Sequence, residues 1–379
     1  MLKANDAREN PLGIQGIDHV QLYVGNADQA AHYYSAAFGF QILAYAGPDT
    51  KVRDRRSLVL EQGDARLVVS SGLDPDSPVA RHAALHGDGV KDIAFRVPDA
   101  EGAFDRAVRQ GARPVREPVR LEDEHGEVRV ATIAAFGDTL HSFVERDQYR
   151  GAFLPNYAAR PPLRRRKRRF TGFDHFAVAL PAGSLDGWVD FYQRVFGFQE
   201  TFEQNVTTSR TGMRSKVVRG VSDDTVFPLL EPVPGPHRSQ VQEFLNFNCG
   251  PGVQHAALRT DDIVAAVRSL AREGIEFLHT PDGYYDDLPA RVGEVGTDPS
   301  IFRQYRIMVD RDESGHLLQI FTKAIAGRPT FFLELIERKG SRGFGGGNIR
   351  ALFEAVEREQ AAREAGSTEA GERREVERV

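Results

Sequence analysis

What this sequence has little of sets the first limits on what it can be. It holds one cysteine, Cys249, in 379 residues, so no internal disulfide can brace it and it fits a reducing compartment. No apolar run approaches the roughly 20 residues that a membrane-crossing helix needs. The opening MLKANDAREN is polar and has no apolar signal segment, so the expectation is a cytoplasmic protein. Neither sign of charge dominates. The formal net charge of −5 gives no general attraction to nucleic acid or to an anionic membrane. Two zinc-site spacings, HEXXH and CxxC, are also missing.

What is there is a globular composition, 41% hydrophobic and 27% charged, written as a repeat. GIDHVQLYV (Gly16–Val24) returns as GFDHFAVAL (Gly172–Leu180). NADQAAHYYSAAFGF (Asn26–Phe40) returns as SLDGWVDFYQRVFGF (Ser184–Phe198). Both read as helices capped by Asn26 or Ser184 and closed by a glycine. A further pair, HGDGVKDIAFRV (His86–Val97) and CGPGVQHAALRT (Cys249–Thr260), precedes helices predicted near 100–110 and 262–273. Each half therefore holds two strand–helix–strands units.

Between the halves, NYAARPPLRRRKRRF (Asn156–Phe170) has paired prolines and a basic run, and reads as a solvated linker. RRRKRR also has the composition of a nucleic-acid patch, a reading that the acidic balance elsewhere disfavours. The expected division is a first domain over 1–155, a linker over 156–170, a second domain over 171–362 and a charged, disordered tail over 363–379.

The repeat serves as its own control on the histidines. His19 and His175 stand on equivalent first strands, but the next matching position holds Asp92 in one half and His255 in the other. Burial makes a histidine on an apolar strand costly without partners. Two on equivalent strands of one half point to a shared interior. In TFFLELIER (Thr330–Arg338), period-2 alternation puts Phe332, Glu334 and Ile336 on one face and Leu333 and Leu335 on the other. A glutamate there needs a partner or a metal, and Glu337 is the weaker candidate. Two imidazoles and a carboxylate leaving open positions suit Fe(II), with zinc hydrolysis as the competing chemistry. GFGGGN (Gly343–Asn348) reads as a hinge before a helix with Ile349, Leu352, Phe353 and Val356 on one stripe. That helix is either a lid or plain packing.

The runs FDHFAVALP, SQVQEFL, GPGVQHAALRTDDIV, EFLHTPDGYYDDL, LLQIFTK, RPTFFLELIER and GFGGGNIRALFEAVEREQ carry a resemblance. They resemble the family of 4-hydroxyphenylpyruvate dioxygenase and 4-hydroxymandelate synthase, in the vicinal oxygen chelate superfamily. The resemblance covers most of Gly172–Gln360 and is looser in the first half. It implies an α+β fold of two domains, each a half-open barrel of paired βαβββ modules, with a C-terminal lid helix. It implies one Fe(II) per chain, held by His175, His255 and Glu334 of the second domain, and leaves His19 a relic. It implies 4-hydroxyphenylpyruvate and O₂ as substrates, no nucleic-acid or membrane partner, and a homo-oligomer, dimer or tetramer. Pocket positions carry over to Ser215, Gln240, Gln254, Gln319, Phe344 and Asn348, and Phe321 would line the cavity. Two positions depart from the dioxygenases, which usually carry Asn where Leu230 stands and Phe where Ile349 stands. Both changes lean toward 4-hydroxymandelate as product. Gly346–Gly347 and LLQIFTK lean toward the dioxygenases, which form homogentisate. Another aryl or alkyl 2-oxo acid, or a non-catalytic binder of a small aromatic molecule, is the further alternative.

Overall fold

The structure, a computed structural model, describes residues 10–161 and 168–376. The first unit runs β1 (Gly16–Tyr23), α1 (Ala27–Ala36), β2 (Gln41–Ala46), β3 (Arg55–Gln62) and β4 (Ala65–Gly72). After α2 (Pro78–His86) comes the second, of β5 (Gly89–Arg96), α3 (Ala100–Arg109), β6 (Pro114–Asp123), β7 (Gly126–Ala134) and β8 (Leu140–Glu145). A two-residue β9 (Ala158–Ala159) follows. The third unit is β10 (Gly172–Ala179), α4 (Leu185–Phe196), β11 (Gln199–Thr207), β12 (Gly212–Arg219) and β13 (Val226–Val233). Then come α5 (Gln240–Phe247), β14 (Gly252–Arg259) and α6 (Ile263–Arg272). Two short helices, α7 (Leu288–Val292) and α8 (Pro299–Tyr305), lead to β15 (Met308–Asp312), β16 (Gly315–Phe321), β17 (Phe332–Lys339) and α9 (Gly346–Val376).

Each half forms one sheet. The strand orders are β6-β7-β8-β5-β1-β4-β3-β2-β9 and β11-β12-β13-β10-β14-β17-β16-β15. Within a half the units join back to back through antiparallel β1·β5 or β10·β14, while β1·β4, β5·β8, β10·β13 and β14·β17 are parallel. This is the α+β architecture of two curled half-barrels.

The local sequence explains the helices. In α3, Ala100, Ala103, Phe104 and Ala107 are buried, and in α6 Ile263, Ala266, Val267 and Leu270, the stripe of a helix lying on a sheet. Asn26, Asp99 and Asp262 cap α1, α3 and α6 through their side chains. Ser184 does not cap α4 as the sequence leads one to expect. Its hydroxyl donates to Pro181 O, and the buried Glu231 carboxylate accepts from Leu185 N instead, at 3.0 Å. A carboxylate is the stronger partner for that amide, and it frees the serine to close the preceding turn.

One apolar cluster runs through both halves, joining Phe95 and Phe143 to Phe196 and Phe227. Each such fully buried ring contributes about 1.5–3 kcal/mol. The halves also meet at the β3–β4 turn. Asp64 N donates to Thr171 O at 2.7 Å, and Gly63 has φ +60 with the Thr171 carbonyl where a Cβ would lie.

The linker is less free than its composition suggests. Ala158 and Ala159 pair with β2, Gln62 Oε1 accepts from the Arg169 and Phe170 amides, and Phe170 is buried. Arg164–Lys167, the centre of the basic run, lie outside the described residues. α9 continues to Val376, past 363, where the charged composition predicts loss of structure. Residues 377–379 lie outside the described residues.

Candidate metal centre

Strand alternation builds the site. In β10, Phe176 and Val178 face the common core, while Ala177 lines the cavity beneath α9 and Ala179 joins the apolar cluster of Phe353 on that side. His175 shares the parity of these alanines, and their small side chains leave room beside it. On β14, Ala256 and Leu258 enter the core, and His255 lines the cavity. On β17 the expected alternation holds: Leu333 and Leu335 are in the core and Glu334 is in the cavity. Because β10, β14 and β17 are neighbours in the sheet, the three side chains converge.

His175 Nε2 lies 3.0 Å and His255 Nε2 3.4 Å from Glu334 Oε2. All three residues are buried, and Glu334 has no exposed surface. Glu334 Oε1 accepts from Gln319 Nε2 at 2.7 Å, whereas the buried Oε2 has no aligned hydrogen bond. An unpartnered carboxylate oxygen facing two ring nitrogens at these separations is what a metal-ligand set looks like, so the residues fit one metal ion.

The surroundings fix the orientation. His175 Nδ1 donates to Asp174 Oδ1 at 2.9 Å, which leaves Nε2 to point at the cavity. Asp174 is itself gripped by Arg338 through Nε and Nη2, both at 2.8 Å, and by Arg259 at 3.2 Å. Burial would raise the Asp174 pKa, but Arg338 and His175 outweigh it and hold the carboxyl well below the usual range. Burial likewise opposes charge on His175, yet Glu334 and Asp174 hold it up at about 9. Glu334, despite burial, is held down at about 2 by the two histidines. His255 is pushed below its ordinary value, burial being the main cause.

The other expected pocket residues meet around the same cavity, about 570 Å³ with its mouth. Ser215 comes from β12, Leu230 from β13, Gln254 from β14, and Gln319 and Phe321 from β16. Gln240 opens α5, Phe344 lies in the loop after β17, and Asn348 and Ile349 sit in the first turn of α9. Gln254 Nε2 donates to Gln240 Oε1 at 2.6 Å, and Ser215 Oγ donates to Gln204 O at 3.0 Å. Phe344 stands edge-on to His175 with centroids 5.4 Å apart, and Phe332 stacks on His255 at 5.0 Å. Glu337, the weaker candidate, is outside the cluster: its Oε2 accepts from Ile263 N at the start of α6.

Two features escaped the sequence reading. Tyr284 OH donates to Asn348 Oδ1 at 2.6 Å, and Asn348 Nδ2 donates to Gln319 Oε1 at 2.8 Å, which completes a chain from the α9 start to Glu334. Nothing in DGYYDD singles out Tyr284. The Asp174–Arg338 clamp, by contrast, is written twice. Asp18 accepts from His19 at 2.7 Å and from Arg146 at 2.6 Å, and FVER (Phe143–Arg146) matches LIER (Leu335–Arg338). Even the glutamates match, since Glu145 accepts from Ala100 N as Glu337 does from Ile263 N.

In the first half the counterparts of His255 and Glu334 are Asp92 and Ser142. Ser142 N donates to Asp92 Oδ1 at 3.0 Å. Phe153 stands edge-on to the His19 ring at 5.0 Å, as Phe344 does to His175.

Fold and site together define a vicinal oxygen chelate protein with a two-histidine, one-carboxylate centre. Comparison with known proteins narrows this. Residues 8–154 match the family model "Hydroxyphenylpyruvate dioxygenase, HPPD, N-terminal", and residues 172–320 match "Glyoxalase/Bleomycin resistance protein/Dioxygenase superfamily". The 4-hydroxyphenylpyruvate dioxygenase of Dictyostelium discoideum is 40% identical over 364 residues, covering 92% of this chain and 99% of the relative. That of Aspergillus fumigatus is 38% identical over 376 residues, covering 92% and 93%. A triple mutant of 4-hydroxymandelate synthase from Streptomyces coelicolor superposes with a TM-score of 0.83 at 39% identity, covering 92% of this chain and 99% of that one. The chain belongs to the 4-hydroxyphenylpyruvate dioxygenase and 4-hydroxymandelate synthase family, whose members are Fe(II)-dependent oxygenases. It is a non-heme Fe(II) enzyme of the 2-oxo acid dioxygenase type.

Proposed function

We propose that the chain oxidises 4-hydroxyphenylpyruvate with O₂ to 4-hydroxymandelate and CO₂, with His175, His255 and Glu334 as the iron ligands. The observation that carries the product assignment is the apolar wall beside the triad. Leu230 and Ile349 belong to one apolar cluster with Met213 and Phe353, and no amide stands at 230 to grip the phenol ring. A ring without an amide at 230 to orient it can turn its benzylic CH₂, rather than ring carbon C1, toward the metal face.

When bound, Fe(II) would supply the chelation point for the 2-oxo acid and a position for O₂, with the electrons that reduce O₂ coming in net from the substrate. The protein's own groups do the rest. Gln319 holds Glu334 Oε1 and leaves Oε2 for the metal, and Asp174 keeps the proton of His175 on Nδ1. The Gln240–Gln254 pair and Ser215 offer polar groups, while Phe321, Phe344 and Phe332 exclude water.

The second reading is homogentisate formation, favoured by the names of the curated relatives. The two products are isomers, so NMR of the product from anaerobically Fe(II)-loaded protein, 4-hydroxyphenylpyruvate and air decides. A benzylic CH(OH) signal with an intact para-substituted ring is expected, and a trisubstituted ring with CH₂COOH would overturn the assignment. Ile349→Phe should shift product toward homogentisate, and an unchanged ratio would remove Ile349 from the argument.

A further inference from the structure

A second group of metal-ligating side chains lies outside the site described above. His82 and His86 are one helical turn apart on the same face of α2, with ring centroids 4.3 Å apart. Asp138, in the turn between β7 and β8, places Oδ2 2.9 Å from His86 Nε2. One ligand atom from each of the three lies within 4.8 Å of the others. His86 is buried, His82 half-buried and Asp138 exposed.

The hydrogen bonding of His86 draws attention to this cluster. Its Nδ1 faces the carbonyl of Asn248, which can only accept, so Nδ1 carries a proton. Its Nε2 faces a carboxylate, which also accepts. With its one tautomeric proton committed to Asn248, Nε2 has its lone pair turned toward the carboxylate, the geometry of two ligands around one cation. The bland reading is a simple ion pair between His86 and Asp138. Against it, His82 lies tilted at 44° to the same ring and brings a third ligand atom within 4.8 Å of the other two, where an ion pair needs only two groups. A metal makes better use of the set. The Nε2–Oδ2 separation of 2.9 Å resembles the 3.0 and 3.4 Å between histidine and glutamate in the triad. The Asn248 carbonyl is the kind of outer partner that fixes the tautomer of a metal-bound histidine.

We propose that His82, His86 and Asp138 form a second divalent-metal site, of the zinc class, at the seam between the halves. Two imidazoles one turn apart plus a carboxylate suit zinc, with water completing the tetrahedron. The site ties α2 to the β7–β8 turn and, through His86 and Asn248, to the second half. Arg328 already docks on this seam, donating to Ala84 O at 2.8 Å and Phe247 O at 3.3 Å. The role is structural, a cation that clamps the seam.

Zinc titration of metal-stripped full-length chain against a chromophoric chelator tests this. The wild type should bind two equivalents, the Asp138→Asn chain one, and the His255→Ala, Glu334→Ala double variant one. In that double variant background, adding His82→Ala or Asp138→Asn should weaken zinc binding at least about tenfold. Asp138 is exposed, so its replacement leaves folding intact, and Co²⁺ substituted there should give the d–d absorption of a tetrahedral site. A single equivalent in the wild type, or two retained in the Asp138→Asn chain, would overturn the proposal.

Discussion

Asp174 concentrates the chemistry at the scale of single residues. It is buried, accepts the hydrogen bond of His175 Nδ1, and is held by Arg259 of β14 and Arg338 of β17. Such outer partners typically account for 10–100-fold in metal affinity. Replacing Arg338 with Met should therefore weaken Fe(II) binding about tenfold or more, read as iron content after dialysis against a chelator. His19→Ala, in the half that lacks a second imidazole, should leave iron content unchanged. Iron lost from that variant would show that the wrong half had been assigned the metal.

At the scale of elements, the loop before α9 carries the argument. The glycines of GFGGGN suggest a free hinge, but the loop is fastened along its length. Asp312 accepts from Arg342 N and Gly343 N at 3.0 and 2.7 Å, Arg338 donates to Gly343 O, and Asp310 accepts from Gly347 N. Gly345 has φ +64 and lies against Asp310, where a Cβ would be tight. Gly345→Ala should loosen the docking of α9 by about 1 kcal/mol or more. The expected readout is faster proteolysis within α9 and a raised KM, and proteolysis at the wild-type rate would contradict it. Three side chains of one helical turn, Asn348, Ile349 and Leu352, face the cavity, so any looseness there reaches the substrate.

The whole molecule is held by a seam whose most informative residue is His141. Its Nδ1 donates to Ile93 O at 3.2 Å and its Nε2 accepts from Tyr192 OH at 2.8 Å, joining β8 to α4 of the other half. Burial pushes its pKa down to about 4 from an ordinary value of 6.5. The unfolded chain thus binds the proton first as pH falls. The stability His141 contributes is complete above pH 6.5 and is lost as pH falls from there toward 4, on the order of 3 kcal/mol. Denaturation midpoints measured between pH 7 and 4.5 should fall steeply in the wild type and less steeply in His141→Phe. Parallel curves would remove His141 from the pH dependence.

The repeat, the Asn26 cap, the alternation of β17 and the contrast between His255 and Asp92 were legible because they are local or periodic, and the backbone's own geometry enforces them, whereas the Ser184 cap lost to a carboxylate 46 residues away. The LIER and FVER match was legible too but passed unread, since an adjacent glutamate and arginine at a strand end resemble any solvated pair. The gathering of side chains from β12, β13, β16, α5 and α9 around one triad came through the family resemblance rather than from spacing. Tyr284, the anchored glycine loop, the His141 seam and the His82–His86–Asp138 cluster were decided by tertiary structure alone. Each joins residues tens of positions apart, and only the stacking of strands and the docking of one half on the other sets those distances.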